Sequence, residues 1–155
     1  MATYKAWREA RQAEFNALPI FWAFSNEQLE KALAARGFKL EEAGRVLYRF
    51  GNGGFYLKTD HEKIKEFMEK DSAGELRELM ESDEQFAREA FEYEMWNHEF
   101  AINWQGDYDV CECFCPCEYG EMKNGAAYLR EGGYSEKIIK IYKECAVKVC
   151  NEMEC

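Results

Sequence analysis

Apolar positions near the start of the chain recur at helical spacing. Tyr4, Trp7, Ala10, Phe15 and Leu18 share one side, Thr3 stands where an N-cap belongs, and Pro19 ends the run. The next segment, Ile20, Phe21, Trp22, Ala23 and Phe24, is too short for a helix and rich in strand formers, which predicts a buried strand. Ser25 with Gln28 then makes a capping box, and Phe24 is placed to staple onto Leu29. Leu29, Ala32 and Leu33 give that helix its apolar stripe, and Gly37 stops it.

From Arg45 the period falls to two. Val46, Tyr48 and Phe50 alternate with Leu47 and Arg49, a Gly51-Asn52-Gly53-Gly54 turn follows, and Phe55, Tyr56 and Leu57 return, predicting a β-hairpin. The turn lacks the Lys-Ser or Lys-Thr pair of a phosphate-binding loop, so its glycines read as turn chemistry. Thr59 with Glu62 and Ser82 with Gln85 make two more capping boxes. The helices expected there bury Ile64, Phe67 and Met68, then Leu76, Leu79 and Met80, then Phe86, Ala87, Ala90, Phe91 and Met95.

The third of these helices is expected to give way near Asn97 to a second hairpin. His98, Phe100, Ile102 and Trp104 alternate with Glu99, Ala101 and Asn103, Gln105 to Asp107 turn, and Tyr108, Val110 and Phe114 return opposite Asp109, Cys111, Cys113 and Cys115. Pro116 ends the return strand. After Gly120 come a short helix around Ala126 to Arg130, a Gly132-Gly133 break, and a last helix capped by Ser135 that buries Ile138, Ile141, Tyr142, Cys145 and Val149. The expectation is one compact α+β domain over residues 1–155, with two β-hairpins forming a small antiparallel sheet packed on five or six helices.

Charge sharpens this outline. Of the net charge of −10, residues 60–99 hold −9, from fourteen Asp and Glu against five Lys and Arg. Such a balance opposes direct binding to nucleic acid and to anionic membranes. No apolar run approaches the ~20 residues of a membrane span, so a cytoplasmic location is expected.

The segments AFSNEQLEKAL (23–33), YRFGNGGFYLK (48–58), FEYEMWNHEFAINWQGDYDVCECF (91–114) and YLREGGYS (128–135) resemble a group of small uncharacterised proteins encoded by phages and mobile elements of anaerobic gut bacteria. The resemblance covers most of the chain and brings no catalytic residues with it. It implies a setting in which small acidic proteins bind and block host or rival machinery, as inhibitors of the anti-CRISPR type do.

Four constellations stand out as candidate chemistry. Cys111, Cys113, Cys115 and Cys117 suggest a zinc or cluster site, which Cys145, Cys150, Cys155 or His98 would complete. Alternate cysteines on a strand, however, spread their sulfurs over ~20 Å, unlike the Cys-x₂₋₄-Cys knuckles of structural zinc sites. Reduced thiols packed as small hydrophobes are therefore the preferred reading, and no cofactor is expected. Glu94 and His98 lie four apart at a helix end, with Asp107 and Asp109 across the turn. A carboxylate orienting an imidazole builds a general base or tidies a helix terminus, and with no partner nucleophile at a recognisable spacing the structural role is preferred.

Trp96, Trp104, Tyr108, Phe114 and Tyr119, with His98, would line a pocket for a planar ligand such as a nucleotide, or form ordinary hairpin core. Glu75, Glu78, Glu81, Asp83, Glu84 and Glu92 lie on the acidic helices and would form an ordinary solvated face, with i,i+4 pairing such as Glu84 to Arg88, or imitate a phosphate backbone. The sequence thus points to a non-enzymatic acidic binding protein that inhibits a basic nucleic-acid-binding partner such as a CRISPR effector. A protein that binds or sequesters a nucleotide signal is the alternative, and a zinc-binding protein the third.

Overall fold

The computed structural model describes residues 3–115 and 124–153. The readings made for Pro116, Cys117, Tyr119, Gly120 and Cys155 lie outside these residues. The chain is α+β, as its periodicities predict, with helices and one three-stranded antiparallel sheet. It divides into two units, Arg11–Lys70 and a second made of Met1–Ala10 with Asp71–Cys155. Helix α1, Tyr4–Asn16, contributes residues to both.

In the Arg11–Lys70 unit the strands are β1 (Phe21–Trp22), β2 (Leu47–Phe50) and β3 (Gly54–Leu57), ordered β1-β3-β2. β2 pairs with β3 from Leu47↔Leu57 to Phe50↔Gly54, the hairpin that the sequence predicts. Gly51 and Gly53 turn it at φ of 60° and 87°, where a side chain is strained. Helix α2, Asn26–Ala35, starts with the expected Ser25 cap: the Gln28 amide donates to Ser25 Oγ, and the returning Gln28 side chain accepts through Oε1 from the amide of Phe24, one residue before the cap. Leu33 of α2 joins Phe21 and Leu47 in a small core with Leu29, Phe38, Phe55 and Leu57 packed around it. A four-residue helix α3 (Ala43–Val46) precedes β2, and α4 (His61–Glu69) follows β3. α4 begins after a 3₁₀ turn at Lys58–Asp60, which displaces the Thr59–Glu62 box expected there. It buries Ile64, whereas Met68 is 61% exposed.

The other unit is built on α5 (Ser72–Ser82), α6 (Glu84–Asn97), α7 (Gly106–Glu112), α8 (Gly125–Glu131) and α9 (Glu136–Met153). Their apolar stripes meet in one large core that includes Phe86, Phe91, Met95, Val110, Phe114, Leu129, Ile138, Tyr142 and Val149. α6 is capped by Asp83 rather than by Ser82, because the Asp83 carboxylate accepts from the amides of both Gln85 and Phe86.

The second hairpin does not form: the stretch expected to return as a strand is α7. Ile102 and Trp104, which a half-buried strand would turn inward, are 79% and 82% exposed. The buried positions are Gly106, Val110, Cys111, Phe114 and Cys115, a helical spacing carried beyond the end of α7 by a closing turn. Over so short a run the two periods overlap, and the aromatic alternation before the turn masked the helix.

Candidate metal centre

α6 ends where its last turn meets α7, and this junction gathers three side chains of different chemistry. Glu94 sits one turn before His98, the C-cap of α6, so both lie on one face. Helical winding then sends Cys111 and Cys115 into the core and turns Cys113 another way. Glu94 Oε2 lies 3.3 Å from His98 Nε2 and accepts from Cys113 Sγ at 3.1 Å, while Cys113 Sγ and His98 Nε2 are 3.5 Å apart. The three atoms form a closed triangle, within the reach of a single ion.

The surroundings hold this triangle in place. Glu94 is the one buried charged residue among those described, 1% exposed. Its other oxygen, Oε1, accepts from Tyr4 Oη at 3.0 Å and pairs with Arg8 Nη1 at 3.3 Å. Asn103 ties down the connecting loop by donating from Nδ2 to the His98 carbonyl and to Asp109 Oδ2. His98 keeps 29% of its side chain exposed and Cys113 is exposed as a residue, so the centre opens to solvent on that side. The Cys113 sulfur itself faces the buried carboxylate. Desolvation, together with the Glu94 charge that its thiol donates to, pushes its pKa up to about 12.

The residues of the centre lie inside the span of a recognised family. The chain belongs to the Family of unknown function (DUF7659), which it matches over residues 3–114. No curated protein and no solved structure matches it. Within the DUF7659 match lie Tyr4, Arg8, Glu94, His98 and Cys113, so the whole centre falls in the part of the chain that defines membership.

The other candidates are dispersed. Cys111 donates to the Gly125 carbonyl, and burial raises its pKa; Cys115 packs against Gly132. Of the four alternate cysteines, only Cys113 joins the centre among the described residues, and Cys117 is outside them. Asp109 braces Asn103, and Asp107 accepts a hydrogen bond from Tyr142. Trp96, 48% exposed, borders a shallow depression with Glu99, Ile102, Glu152 and Met153, whereas Tyr108 stacks edge-on against Tyr128 beside the core.

Several acidic residues have structural partners. Glu75 accepts from Trp7 Nε1, Glu81 accepts twice from Ser135 at the start of α9, Asp83 caps α6, and Glu92 pairs with Lys148 at 2.9 Å. Glu78 and Glu84 are exposed.

The Glu94–His98 pair was legible from its i,i+4 spacing. Cys113 is grouped with His98 by the zinc alternative, although it reaches the pair only through α7; Tyr4 and Arg8 carry no local signal, since α1 is ninety residues away along the chain.

Proposed function

We propose that the chain is a metal-binding protein in which Glu94, His98 and Cys113 hold a divalent transition ion, zinc by the chemistry of the donors. The observation that carries this reading is the triangle itself, with edges of 3.1, 3.3 and 3.5 Å. Tetrahedral bonds of about 2.0 Å to nitrogen and oxygen and about 2.3 Å to sulfur put ligand atoms about 3.3–3.6 Å apart. A small movement of Sγ away from Oε2 completes the match. A thiolate and an imidazole beside one carboxylate favour zinc over magnesium or calcium, which take oxygen donors. A Cys–His nucleophile pair is less well supported, because sulfur and carboxylate meet the same imidazole nitrogen and a triad needs them on opposite ones.

The test is metal content and chelator competition on the purified chain. One zinc per chain is expected, lost in His98→Ala and in Cys113→Ser. Protein prepared with zinc that retains none on a desalting column, and gains no thermal stability from it, would remove the reading.

Charge supports a second reading, because −9 of the net −10 is concentrated in residues 60–99. In it the chain works in a bacterial cytoplasm, in the phage or mobile-element setting its resemblance implies, and blocks a basic nucleic-acid-binding protein such as a CRISPR effector. Glu78→Lys with Glu84→Gln alters two exposed carboxylates and spares the caps at Glu81 and Asp83. This reading expects the wild type to capture such a partner from nuclease-treated lysate, release it as salt rises, and lose it in the double variant. Equal capture by both would exclude these two positions from the contact.

A further inference from the structure

Tyr4 and Arg8 stand four residues apart on α1, so their side chains leave the helix on one face. Both end on the same oxygen of Glu94: Oε1 accepts from Tyr4 Oη at 3.0 Å and lies 3.3 Å from Arg8 Nη1. The opposite oxygen, Oε2, is the one that meets His98 and Cys113. The carboxylate is thereby divided, with one oxygen committed to α1 and the other turned to the centre.

The two α1 residues do this differently. Tyr4 is 2% exposed, and its ring packs on Trp7, Phe86, Tyr93 and Phe114, so its hydroxyl is a fixed donor. Arg8 keeps 40% of its side chain exposed and lays its guanidinium over Tyr93 at 4.8 Å. Without a metal, Arg8 is the cation that compensates the buried Glu94 carboxylate. With a divalent ion in place, Glu94 and the Cys113 thiolate balance its two charges, and Arg8 becomes surplus positive charge beside it.

Building on the metal-centre reading, we propose that α1 sets the affinity of the centre through two opposed contributions. Tyr4 is a positioning residue that holds Glu94 as a one-oxygen ligand through Oε2, and Arg8 is a resident counter-ion with which the metal competes.

The experiment measures zinc affinity by chelator competition, and the visible spectrum of the cobalt(II) form, in the full chain and in Tyr4→Phe, Arg8→Gln and Arg8→Lys. Tyr4→Phe keeps the packed ring and is expected to bind zinc about 10- to 100-fold more weakly, with an altered cobalt spectrum. Arg8→Gln is expected to bind roughly three- to tenfold more tightly, a gain limited by the exposure of the guanidinium. Arg8→Lys keeps the charge and should stay near wild type. Tyr4→Phe binding as tightly as wild type, or Arg8→Gln binding no more tightly, overturns the proposal. A wild-type chain that binds neither metal removes the metal reading and this inference with it. Wild-type binding with unchanged variants overturns this inference alone. Because the Arg8 variants alter a half-exposed side chain, they decide the matter even if Tyr4→Phe fails to fold.

Discussion

Glu81 of α5 accepts hydrogen bonds from both the amide and the hydroxyl of Ser135, each at 2.7 Å, and so closes the N-terminus of α9 from outside that helix. The carboxylate also complements the positive end of the α9 dipole. A residue that composition assigns to an outward acidic face is thus a cap. Glu81→Ala should lower the unfolding free energy by about 1–2 kcal/mol in urea titration. Glu78→Ala, on the same helix but exposed, should stay within about 0.5 kcal/mol of wild type. Equal effects would mean that the cap contributes nothing measurable.

The sequence was most legible where local chemistry and burial agree. The Ser25 cap, the glycine turn of β2–β3 and the stripes of α6 and α9 each have a single physical solution, and the chain adopts it. It was least legible between His98 and Cys115, where aromatic alternation imitates a strand over a few residues. What decides the matter there is long-range: Val110, Cys111 and Phe114 find a core built by α6, α8 and α9, and helical winding is what turns them into it. The centre inherits that difficulty. Its Glu94–His98 half is local and readable, whereas Cys113 and the α1 residues reach it through tertiary structure.

Zinc affinity should depend on pH through Cys113. Burial and the neighbouring Glu94 charge hold its thiol protonated up to about 12, whereas a metal binds the thiolate. Each zinc bound at neutral pH therefore displaces the Cys113 proton. Affinity should rise by about tenfold per pH unit between roughly pH 7.5 and 9, and binding heats should vary with the ionisation enthalpy of the buffer. A pH-independent affinity over that range would show that the sulfur is not a ligand.

Alkali should destabilise the metal-free chain well before its tyrosines ionise in the fold. Burial is the leading cause that raises Cys145 to about 11 and raises Cys111, Tyr4, Tyr134 and Tyr142 as well. In the unfolded chain, thiols release their protons near about 8.5 and tyrosines near about 10. The folded state therefore holds protons that the unfolded state has lost, and stability falls as pH rises through that window. A single buried thiol contributes a slope of about 1.4 kcal/mol per pH unit there. Thermal melts should show a level Tm from about pH 6 to 8 and a progressive fall from about pH 9 to 11. A Tm that is flat to pH 11 would mean that these groups are not shielded as their positions indicate.

The alternate cysteines separate the helical and strand arrangements of this region experimentally. On a strand, Cys111, Cys113 and Cys115 would share one face, and serine at any of them would have a similar consequence. On the observed helical winding, Cys111 is fully buried while Cys113 is exposed and points its sulfur at Glu94. Cys111→Ser places a hydroxyl in the core and should cost about 1–2 kcal/mol of stability while leaving zinc stoichiometry intact. Cys113→Ser should leave the metal-free unfolding free energy within about 0.5 kcal/mol of wild type and abolish zinc retention. Measuring stability and metal content on the same two proteins gives opposite pairs of outcomes for the two geometries. Loss of zinc in both variants, with equal stability, would return the segment to a strand.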